Sequence, residues 1–293
     1  MAVSPTQLNP TTRLLLSLLR AWPFQRGRWR LERLLEPLMT IPDYGTFAFD
    51  YGTFVDTPLA AWPNGYRELL LHGSMDHKEL AAWRSLIRPG DAVVDGGANY
   101  GYWTLVASKL AGARGRVFSF EANPTTARRL SANVAASNYG NVDVYSFALG
   151  AEEGTAEIHA AADNPIAGHA SLHRHEGWQW SGSVTVRLAR MDDVAATDNW
   201  PRIRLIKLDI EGAELSALRG MERILREDRP YLSVEWNSSA AAGFAYHPGE
   251  TVGILRQLDF ELVQPTSSGF VAAEIPREAD VTMMWFRHRH PRT

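Results

Sequence analysis

Cysteine is absent from the 293 residues of this sequence. The absence excludes disulfide bonds, thiolate metal ligands and a cysteine nucleophile. Apolar runs of the ~18 residues that a membrane-spanning helix needs are absent as well. The leucine-rich run over 14–19 is followed by Arg20, Trp22 and Pro23 instead of small residues, so a signal peptide is not expected. We therefore expect a cytoplasmic protein without a transmembrane segment.

Positive charge is not in excess, because 30 Lys and Arg residues stand against 33 Asp and Glu residues. Proteins that bind the phosphates of nucleic acid are usually basic, so no nucleic-acid partner is expected. Residues 10–38 are an exception, with six arginines and two glutamates that predict two amphipathic helices broken near Pro23. A solvated helix face is the favoured interpretation of this segment. Contact with an anionic membrane surface and a homo-oligomer interface are the alternatives.

The sequence divides at about residue 88. Residues 1–88 form a predicted N-terminal extension, with short strands over 45–72 that include the leucines of 69–71, and a helix over 77–88. Residues 89–293 form the predicted main domain, which carries a β-rich insertion over 155–188.

Within the main domain, strand patterns alternate with helical ones from residue 91 onwards. The predicted strands are 92–95, 117–120, 142–147, 203–208, 231–234, 260–264 and 281–287, and the predicted helices include 124–137, 211–226 and 249–258. This alternation indicates an α/β fold, with a mainly parallel sheet and helices on both of its faces.

A glycine-rich turn, Asp95-Gly96-Gly97-Ala98-Asn99-Tyr100-Gly101, directly follows the first strand of the main domain. Glycines allow a sharp turn and a close approach of the backbone to a ligand. Glu121 stands at the end of the second strand, where an acidic side chain can accept hydrogen bonds from both ribose hydroxyls. Together, the turn, the helix after it and the acidic strand end predict a site for an adenosine-containing cofactor.

The spacing and the charge of this turn favour S-adenosylmethionine over NAD. Dinucleotide-binding turns have the spacing G-x-G-x-x-G, whereas three residues separate Gly97 from Gly101. Asp95 begins the turn, and a fixed carboxylate would repel a pyrophosphate but attract the α-ammonium group of a methionine moiety. An NAD-dependent oxidoreductase is the alternative interpretation.

Several motifs of this chain resemble those of the FkbM family of S-adenosylmethionine-dependent methyltransferases. They are VVDGGANYGYWTL (93–105), FSFEANP (118–124), ALGAEEG (148–154), VRLARMDDV (186–194), KLDIEGAE (207–214) and LSVEWN (232–237). The resemblance covers residues 88–240. It implies a Rossmann-like class I methyltransferase fold, in which a seven-stranded sheet has an antiparallel last strand.

The resemblance also implies contacts with S-adenosylmethionine. Asp95, Gly97, Asn99 and Gly101 would line the methionine end of the cofactor, together with Asp209 at the end of a later strand.

At the other end of the cofactor, Glu121 would bind the ribose. Asn123 would lie near it, although a helix cap explains Asn123 equally well. Ala148 and Leu149, at the end of the third strand, would flank the adenine.

Methyl transfer requires an acceptor about 3 Å from the methyl carbon and a group that removes the acceptor's proton. Ligands of open α/β sheets bind over the carboxyl ends of the strands, where Lys207, Asp209 and Glu235 lie. Lys207 and Asp209 should point the same way, because alternate residues of a strand share a face. In one hypothesis Lys207, Asp209 or Glu235 takes the proton. In the other, Asp209 and Glu235, with Asn237, hold Mg²⁺.

The residues around Asp209 form no N-P-P-Y signature, which favours methylation of oxygen over methylation of an exocyclic amine. Glu211 and Glu214 are assigned to the first turn of a helix, where acidic residues favour the helix dipole. His169, His173 and His175 of the insertion are further candidates for acceptor contacts.

The predicted function is O-methylation of a hydroxyl group on a small molecule or glycan, namely a sugar or a secondary metabolite. The rivals, besides an oxidoreductase, are a non-catalytic S-adenosylmethionine-binding module and an RNA 2′-O-methyltransferase, which the overall charge disfavours.

Overall fold

The computed structural model describes residues 8–21, 28–41, 44–58, 66–161, 170–171, 180–266, 269–277 and 281–291. Across these ranges, no helix has the length and apolar character needed to cross a membrane. The helices are α1 Pro10–Ala21, α2 Arg28–Leu35, α3 Tyr66–His72, α4 His77–Leu86, α5 Tyr102–Ala111, α6 Pro124–Ala136, α7 Met191–Thr197, α8 Glu214–Arg219, α9 Glu222–Asp228, α10 Ser238–Ala242 and α11 Pro248–Gln257. The strands are β1 Tyr44–Phe49, β2 Gly52–Pro58, β3 Ala92–Gly96, β4 Arg116–Phe120, β5 Val142–Tyr145, β6 Ala148–Leu149, β7 Gly154–Ala161, β8 Ala170–Ser171, β9 Trp180–Ala189, β10 Ile203–Leu208, β11 Tyr231–Asn237, β12 Phe260–Thr266, β13 Gly269–Ala272 and β14 Val281–His288.

The main sheet has the strand order β13-β12-β14-β11-β10-β3-β4-β5. Its central strands, β11, β10, β3, β4 and β5, pair in parallel, and β14 pairs antiparallel with both β11 and β12. The predicted mainly parallel α/β sheet is therefore confirmed. The described residues contain one strand more than the expected seven, because β13 turns back on β12 as an edge hairpin that begins at Gly269. Gly269 has φ 125°, a backbone conformation that glycine adopts readily.

Helices cover both faces of this sheet, as predicted. Val93 and Leu205 point into a core shared with α4, α5 and α6, whereas the adjacent Val94 and Ile206 point into a core shared with α7, α8, α9 and α11. Central strands that are buried on both faces read as continuous apolar runs, which is why β3 and β10 are recognisable in the sequence.

The N-terminal extension packs on the first of these cores. Leu16 and Leu19 of α1 and Phe54 of β2 are buried with Leu105 and Leu130 of the main domain. The division at residue 88 therefore stays a prediction. Pro23 lies outside the described residues, and membrane contact by the basic segment also stays a prediction.

The leucines of 69–71 form part of the helix α3, so the strand predicted for them is wrong. All three side chains are buried, at 0 to 2% exposure. An apolar run this short has no period that separates a buried helix from a buried strand.

The helix predicted over 211–226 is also wrong, because the chain forms two short helices, α8 and α9, that break at Gly220 and Met221. Glu211 and Gly212 have positive φ values of 55° and 100°, so no helix begins there. Glu214, but not Glu211, lies in a first helical turn. At Gly220 an added Cβ would lie 2.0 Å from the carbonyl oxygen of Gly150.

Replacing Gly220 by alanine is expected to lower the free energy of unfolding by about 1–3 kcal/mol, since the clash with Gly150 forces the backbone to move. Gly253 of α11 is the matched control, because a Cβ there meets no atom within 4 Å. Gly253→Ala should instead stabilise the protein by about 0.5–1 kcal/mol through helix propensity. Denaturant unfolding of both variants measures the difference, and equal effects would contradict this packing argument.

The insertion forms a second sheet with the strand order β6-β9-β7-β8, which confirms its β-rich character within the described residues. Ala148 and Leu149 belong to this sheet, so their placement at the end of the third strand is wrong. The third strand stops at Tyr145, and the ring of Phe147 turns to pack against those of Phe120 and Tyr145. His169, His173 and His175 lie outside the described residues.

Candidate active site

A row of polar side chains crosses the middle of the main sheet. The strand register places Ser119 beside Asp95, Asp95 beside Lys207, and Lys207 beside Ser233. All four are buried, at 0 to 3% exposure. Since alternate residues share a face, the next row towards the carboxyl ends of the strands contains Glu121, Asp209 and Glu235.

Lys207 is held between two carboxylates. Its Nζ lies 3.5 Å from Oδ1 of Asp95 and 3.2 Å from Oδ2 of Asp209, which confirms that Lys207 and Asp209 point the same way. Burial by itself lowers the pKa of Lys207, but Asp209 and Asp95 raise it by more, so the net pKa lies above its usual range. The lysine is therefore a cation in the neutral pH range.

Asp95 lies beneath the glycine-rich turn and has no exposed surface. Its Oδ2 accepts a hydrogen bond from the hydroxyl of Thr104 at 2.7 Å, and its Oδ1 faces Lys207. These contacts direct the carboxylate into the protein, away from the position beside a methionine ammonium group that the charge argument predicts.

The turn itself touches the end of β10. Gly97 has φ 75°, and a Cβ on it would lie 1.8 Å from the carbonyl oxygen of Asp209. The backbone N–H of Asp209 also donates to the carbonyl oxygen of Gly96 at 3.1 Å. Only glycine allows this approach, so the turn and Asp209 form one wall.

A cavity of about 240 Å³ opens above this wall. Seven of the residues predicted to bind the cofactor or to act in catalysis line it, and they are Gly97, Asn99, Glu121, Ala148, Leu149, Lys207 and Asp209. Four others lie outside its lining, and they are Asp95, Gly101, Asn123 and Glu235. The ends of β4 and β10 flank β3, so Glu121 and Asp209 are roughly 10 Å apart, at different ends of the cavity.

Glu121 is fixed by the backbone around it. Its Oε2 accepts the N–H of Asn99 and its Oε1 accepts the N–H of Asn123, both at 2.9 Å. Burial raises the pKa of Glu121 to about 7, against the lowering effect of these two hydrogen bonds.

The two asparagines differ in what their side chains do. Oδ1 of Asn99 accepts the phenol hydroxyl of Tyr66 at 3.2 Å on the cavity wall. The side chain of Asn123 caps α6 by accepting the N–H groups of Thr125 and Thr126. The side chain of Asn123 therefore acts as a helix cap, and its backbone N–H is the group that contacts Glu121.

Beyond Glu121 the cavity wall becomes apolar. Phe147, Ala148, Leu149 and Ile158 line it there, and Phe147 packs edge-on against Phe120 with ring centroids 5.5 Å apart. The cavity thus has an apolar part next to the carboxylate of Glu121, and a charged part at Lys207 and Asp209.

A model of the FkbM methyltransferase domain matches residues 95–262, more than half of the chain and every residue of the site just described except Tyr66. The chain belongs to the FkbM family of methyltransferases. This finding contradicts the alternative interpretation as an NAD-dependent oxidoreductase.

Two curated relatives match part of this chain. The hexuronic acid methyltransferase AglP of Haloferax volcanii is 29% identical over 136 residues, which are 46% of this chain and 52% of the relative. Methyltransferase 1 of Beauveria bassiana is 26% identical over 152 residues, which are 46% of this chain and 60% of the relative. The match thus spans little more than half the length of either relative.

Among solved structures, the FkbM methyltransferase of Methylobacillus flagellatus is 15% identical to this chain. The aligned region covers 94% of this chain and 58% of that structure's chain, with a TM-score of 0.42.

Glu235 and Asn237, at the end of β11, do not line the cavity. Burial, together with the carboxylates of Asp209, Glu214 and Glu211, raises the pKa of Glu235 to about 9. Its Oε2 has no hydrogen-bond partner among the described residues. Asn237 caps α10 through the N–H of Ala240.

The donor set does not fit the hypothesis of a bound Mg²⁺ ion. The described part of the chain contains no group of three or more His, Asp or Glu side chains that could hold a metal ion. The ammonium group of Lys207 already lies 3.2 Å from Asp209, where it would repel a divalent cation.

Glu214 holds the backbone turn that follows Asp209 at the charged end of the cavity. Its Oε1 accepts the N–H groups of Ile210 and Gly212, at 2.9 and 3.3 Å, and its Oε2 accepts the hydroxyl of Tyr246. The family motif that ends in this residue therefore builds the turn that carries Asp209.

Among the further residues that line the cavity, the sequence argument did not single out Tyr66, Met75, Asp76 and Trp103. Tyr66, Met75 and Asp76 come from the extension, where no motif identifies a ligand site. Trp103 falls inside the motif VVDGGANYGYWTL, but one aromatic residue in a helix predicts core packing as well as it predicts a ligand contact.

Proposed function

We propose that this FkbM methyltransferase transfers a methyl group from S-adenosylmethionine to a hydroxyl oxygen of a sugar, a glycan or a secondary metabolite. One observation carries the proposal, namely a single cavity that runs from an apolar part, past the backbone-fixed carboxylate of Glu121, to the pair Lys207 and Asp209. These three environments suit the adenine, the ribose and the charged methionine end of the cofactor.

In this proposal Ala148 and Leu149 flank the adenine, and Glu121 accepts both ribose hydroxyls. Gly97 and Asn99 present backbone to the methionine moiety. The carboxylate of Asp209 lies at the reacting end and favours the positive charge of the sulfonium group and of the α-ammonium group.

Lys207 and Glu235 suit roles other than that of the base. Lys207 stays protonated between Asp95 and Asp209, so it has no free electron pair. Glu235, with a pKa of about 9, keeps its proton at neutral pH. Asp209 shares its charge with Lys207, which suits a group that orients the acceptor hydroxyl.

The relative AglP, a hexuronic acid methyltransferase, supports a sugar as the acceptor. The balance of 30 basic and 33 acidic residues disfavours an RNA acceptor. A non-catalytic S-adenosylmethionine-binding module is the remaining rival.

The affinity for S-adenosylhomocysteine is expected to fall roughly tenfold between pH 8 and pH 6. Glu121 has a raised pKa of about 7, and its ionised form is the one that accepts two ribose hydroxyls. Across these two pH units its ionised fraction falls from about nine tenths to about one tenth. Calorimetric titrations at several pH values measure the effect. In Glu121→Gln the dependence should disappear, and a wild type whose affinity is flat over this range would contradict the role of Glu121.

The proposed reaction is tested by incubating the protein with methyl-labelled S-adenosylmethionine and three acceptor sets, namely glycosides, hydroxylated aromatic compounds and amines. Label on the oxygen of a glycoside or an aromatic alcohol is the expected result. Label on amines alone would overturn O-methylation. Tight binding of S-adenosylhomocysteine without transfer to any acceptor would favour the non-catalytic module.

A further inference from the structure

A second cavity, of about 450 Å³, adjoins the charged end of the first one. The two share Asp76, Trp103, Lys207 and Asp209 in their linings. The rest of the second cavity is formed by the first turn of α4 and by the first residues of β14. A molecule bound there would meet the cofactor at the Asp209 end, which is the end away from the ribose site.

Asp76 has an unusual conformation at the junction of the two cavities. It is the N-cap residue of α4, yet its φ of 49° and ψ of 53° are left-handed, and its side chain makes no capping hydrogen bond. An aspartate at this position usually caps the helix with its carboxylate. Here the backbone carbonyl of Asp76 begins the helix by accepting the N–H of Leu80 at 2.9 Å, and the carboxylate borders both cavities instead.

The charges around Asp76 suit a proton acceptor. Asp76 is an exposed residue, but partial burial of its carboxyl group raises its pKa, Asp209 adds to the rise, and His77 and Lys207 oppose it. Glu79 and Tyr102 are the other titratable groups that interact with it. A carboxylate with a raised pKa is a stronger base than an ordinary one.

Trp103 forms the platform between the cavities. Its ring stacks on that of Trp83 with centroids 4.6 Å apart, and the ring of Tyr102 meets it edge-on at 4.9 Å. Held in this way, the indole offers a flat apolar surface to the C–H face of a sugar ring, while Asp76 and Asp209 can accept hydrogen bonds from its hydroxyls.

We propose that the second cavity binds the methyl acceptor as a polyhydroxylated ring, and that Asp76 takes the proton of the hydroxyl that is methylated. This inference rests on the proposed function. The acceptor oxygen forms a bond to the methyl carbon, and the bond from that carbon to sulfur breaks with its electron pair left on sulfur. The hydroxyl proton passes to the carboxylate of Asp76, which becomes a neutral carboxylic acid. The sulfonium cation becomes a neutral thioether at the same time, so the charges balance.

The test of the base uses Asp76→Asn, which keeps the size of the side chain and tolerates the left-handed backbone. With a glycoside acceptor, kcat is expected to fall by about 100-fold or more, the usual effect of losing a general base. The affinity for S-adenosylhomocysteine should fall much less than kcat, because Asp76 borders the cofactor cavity only at the end away from the ribose site. The acidic limb of the pH profile of kcat should disappear as well, which a purely structural role would not cause.

Asp56→Asn is the matched control, since Asp56 is also an aspartate with a positive φ, 44°, and lines neither cavity. It should leave kcat unchanged. An Asp76→Asn variant with wild-type kcat and pH profile would overturn the assignment of the base.

The test of the location uses Thr282→Phe. Thr282 is an exposed residue of β14 that lines only the second cavity, so a larger side chain fills that cavity without disturbing a core. The KM for the glycoside should rise while the affinity for S-adenosylhomocysteine is unchanged. An unchanged KM would overturn the location of the acceptor.

Different results would overturn the acceptor class and the proposed function. Transfer to hydroxylated aromatic compounds with none to any glycoside would overturn the acceptor class and leave the proposed function standing. Absence of S-adenosylhomocysteine binding in the wild type would overturn the proposed function itself.

Discussion

Replacing Glu121 by alanine is expected to weaken the binding of S-adenosylhomocysteine by roughly tenfold or more, which corresponds to a loss of about 1.5–3 kcal/mol for a charge-assisted, bidentate contact. The carboxylate is held in place before any ligand arrives, because its two oxygens accept the N–H groups of Asn99 and Asn123. No reorganisation is needed when the ribose binds. The loss of the contact should therefore appear directly in the binding free energy.

Isothermal titration calorimetry measures this prediction, with Glu222→Ala as the matched control. Glu222 lies on α9, is exposed, and pairs with Arg226 one helical turn away. The control should bind S-adenosylhomocysteine as the wild type does. Equal affinities for wild type and Glu121→Ala would show that the ribose lies elsewhere.

Lys207→Met is expected to lower the free energy of unfolding by about 3–5 kcal/mol, because it leaves the buried carboxylate of Asp95 without its counter-charge. Asp95 has no exposed surface, and its Oδ1 has no hydrogen-bond donor among the described residues.

The double variant Lys207→Met with Asp95→Asn tests this cause. Since the amide is neutral, the second change should recover part of the stability that the first one loses, and a double-mutant cycle gives the coupling. Lys78→Met, at an exposed lysine, should change the stability by less than about 0.5 kcal/mol. Denaturant unfolding is measured on the wild type, on Lys207→Met and Asp95→Asn alone, on the double variant and on Lys78→Met. A loss of less than about 1 kcal/mol in Lys207→Met would contradict the buried ion pair.

The elements around the cofactor cavity were predictable because their signals are local. Strands β3 and β10 are short apolar runs, the turn after β3 is rich in glycine, and Glu121 stands at a strand end. The capping of α6 by Asn123, followed by Pro124, is equally local. Such features depend on residues that are neighbours in sequence, so composition and period suffice to find them.

The features that the sequence did not reveal depend on distant contacts. Asp95 turns inward because Lys207, more than 100 residues later, lies opposite it in the strand register. The helix after Asp209 breaks at Gly220 because the backbone of Gly150 passes beside it. Neither partner is identifiable from the local pattern.

Asp76 illustrates the same limit within the site. An aspartate before a helix reads as a cap, and its spacing from the helix is that of a cap. Only the left-handed backbone and the missing capping bond separate it from one. Those are properties of the folded chain.

The most direct test of the account is a calorimetric titration of the wild-type protein with S-adenosylhomocysteine and, in parallel, with NAD. The account predicts binding of S-adenosylhomocysteine at one site per chain and no binding of NAD, since a cavity with Asp209 at its far end attracts a cationic methionine moiety and repels a pyrophosphate. Binding of NAD with no binding of S-adenosylhomocysteine would contradict the assignment of this cavity to the methyl donor.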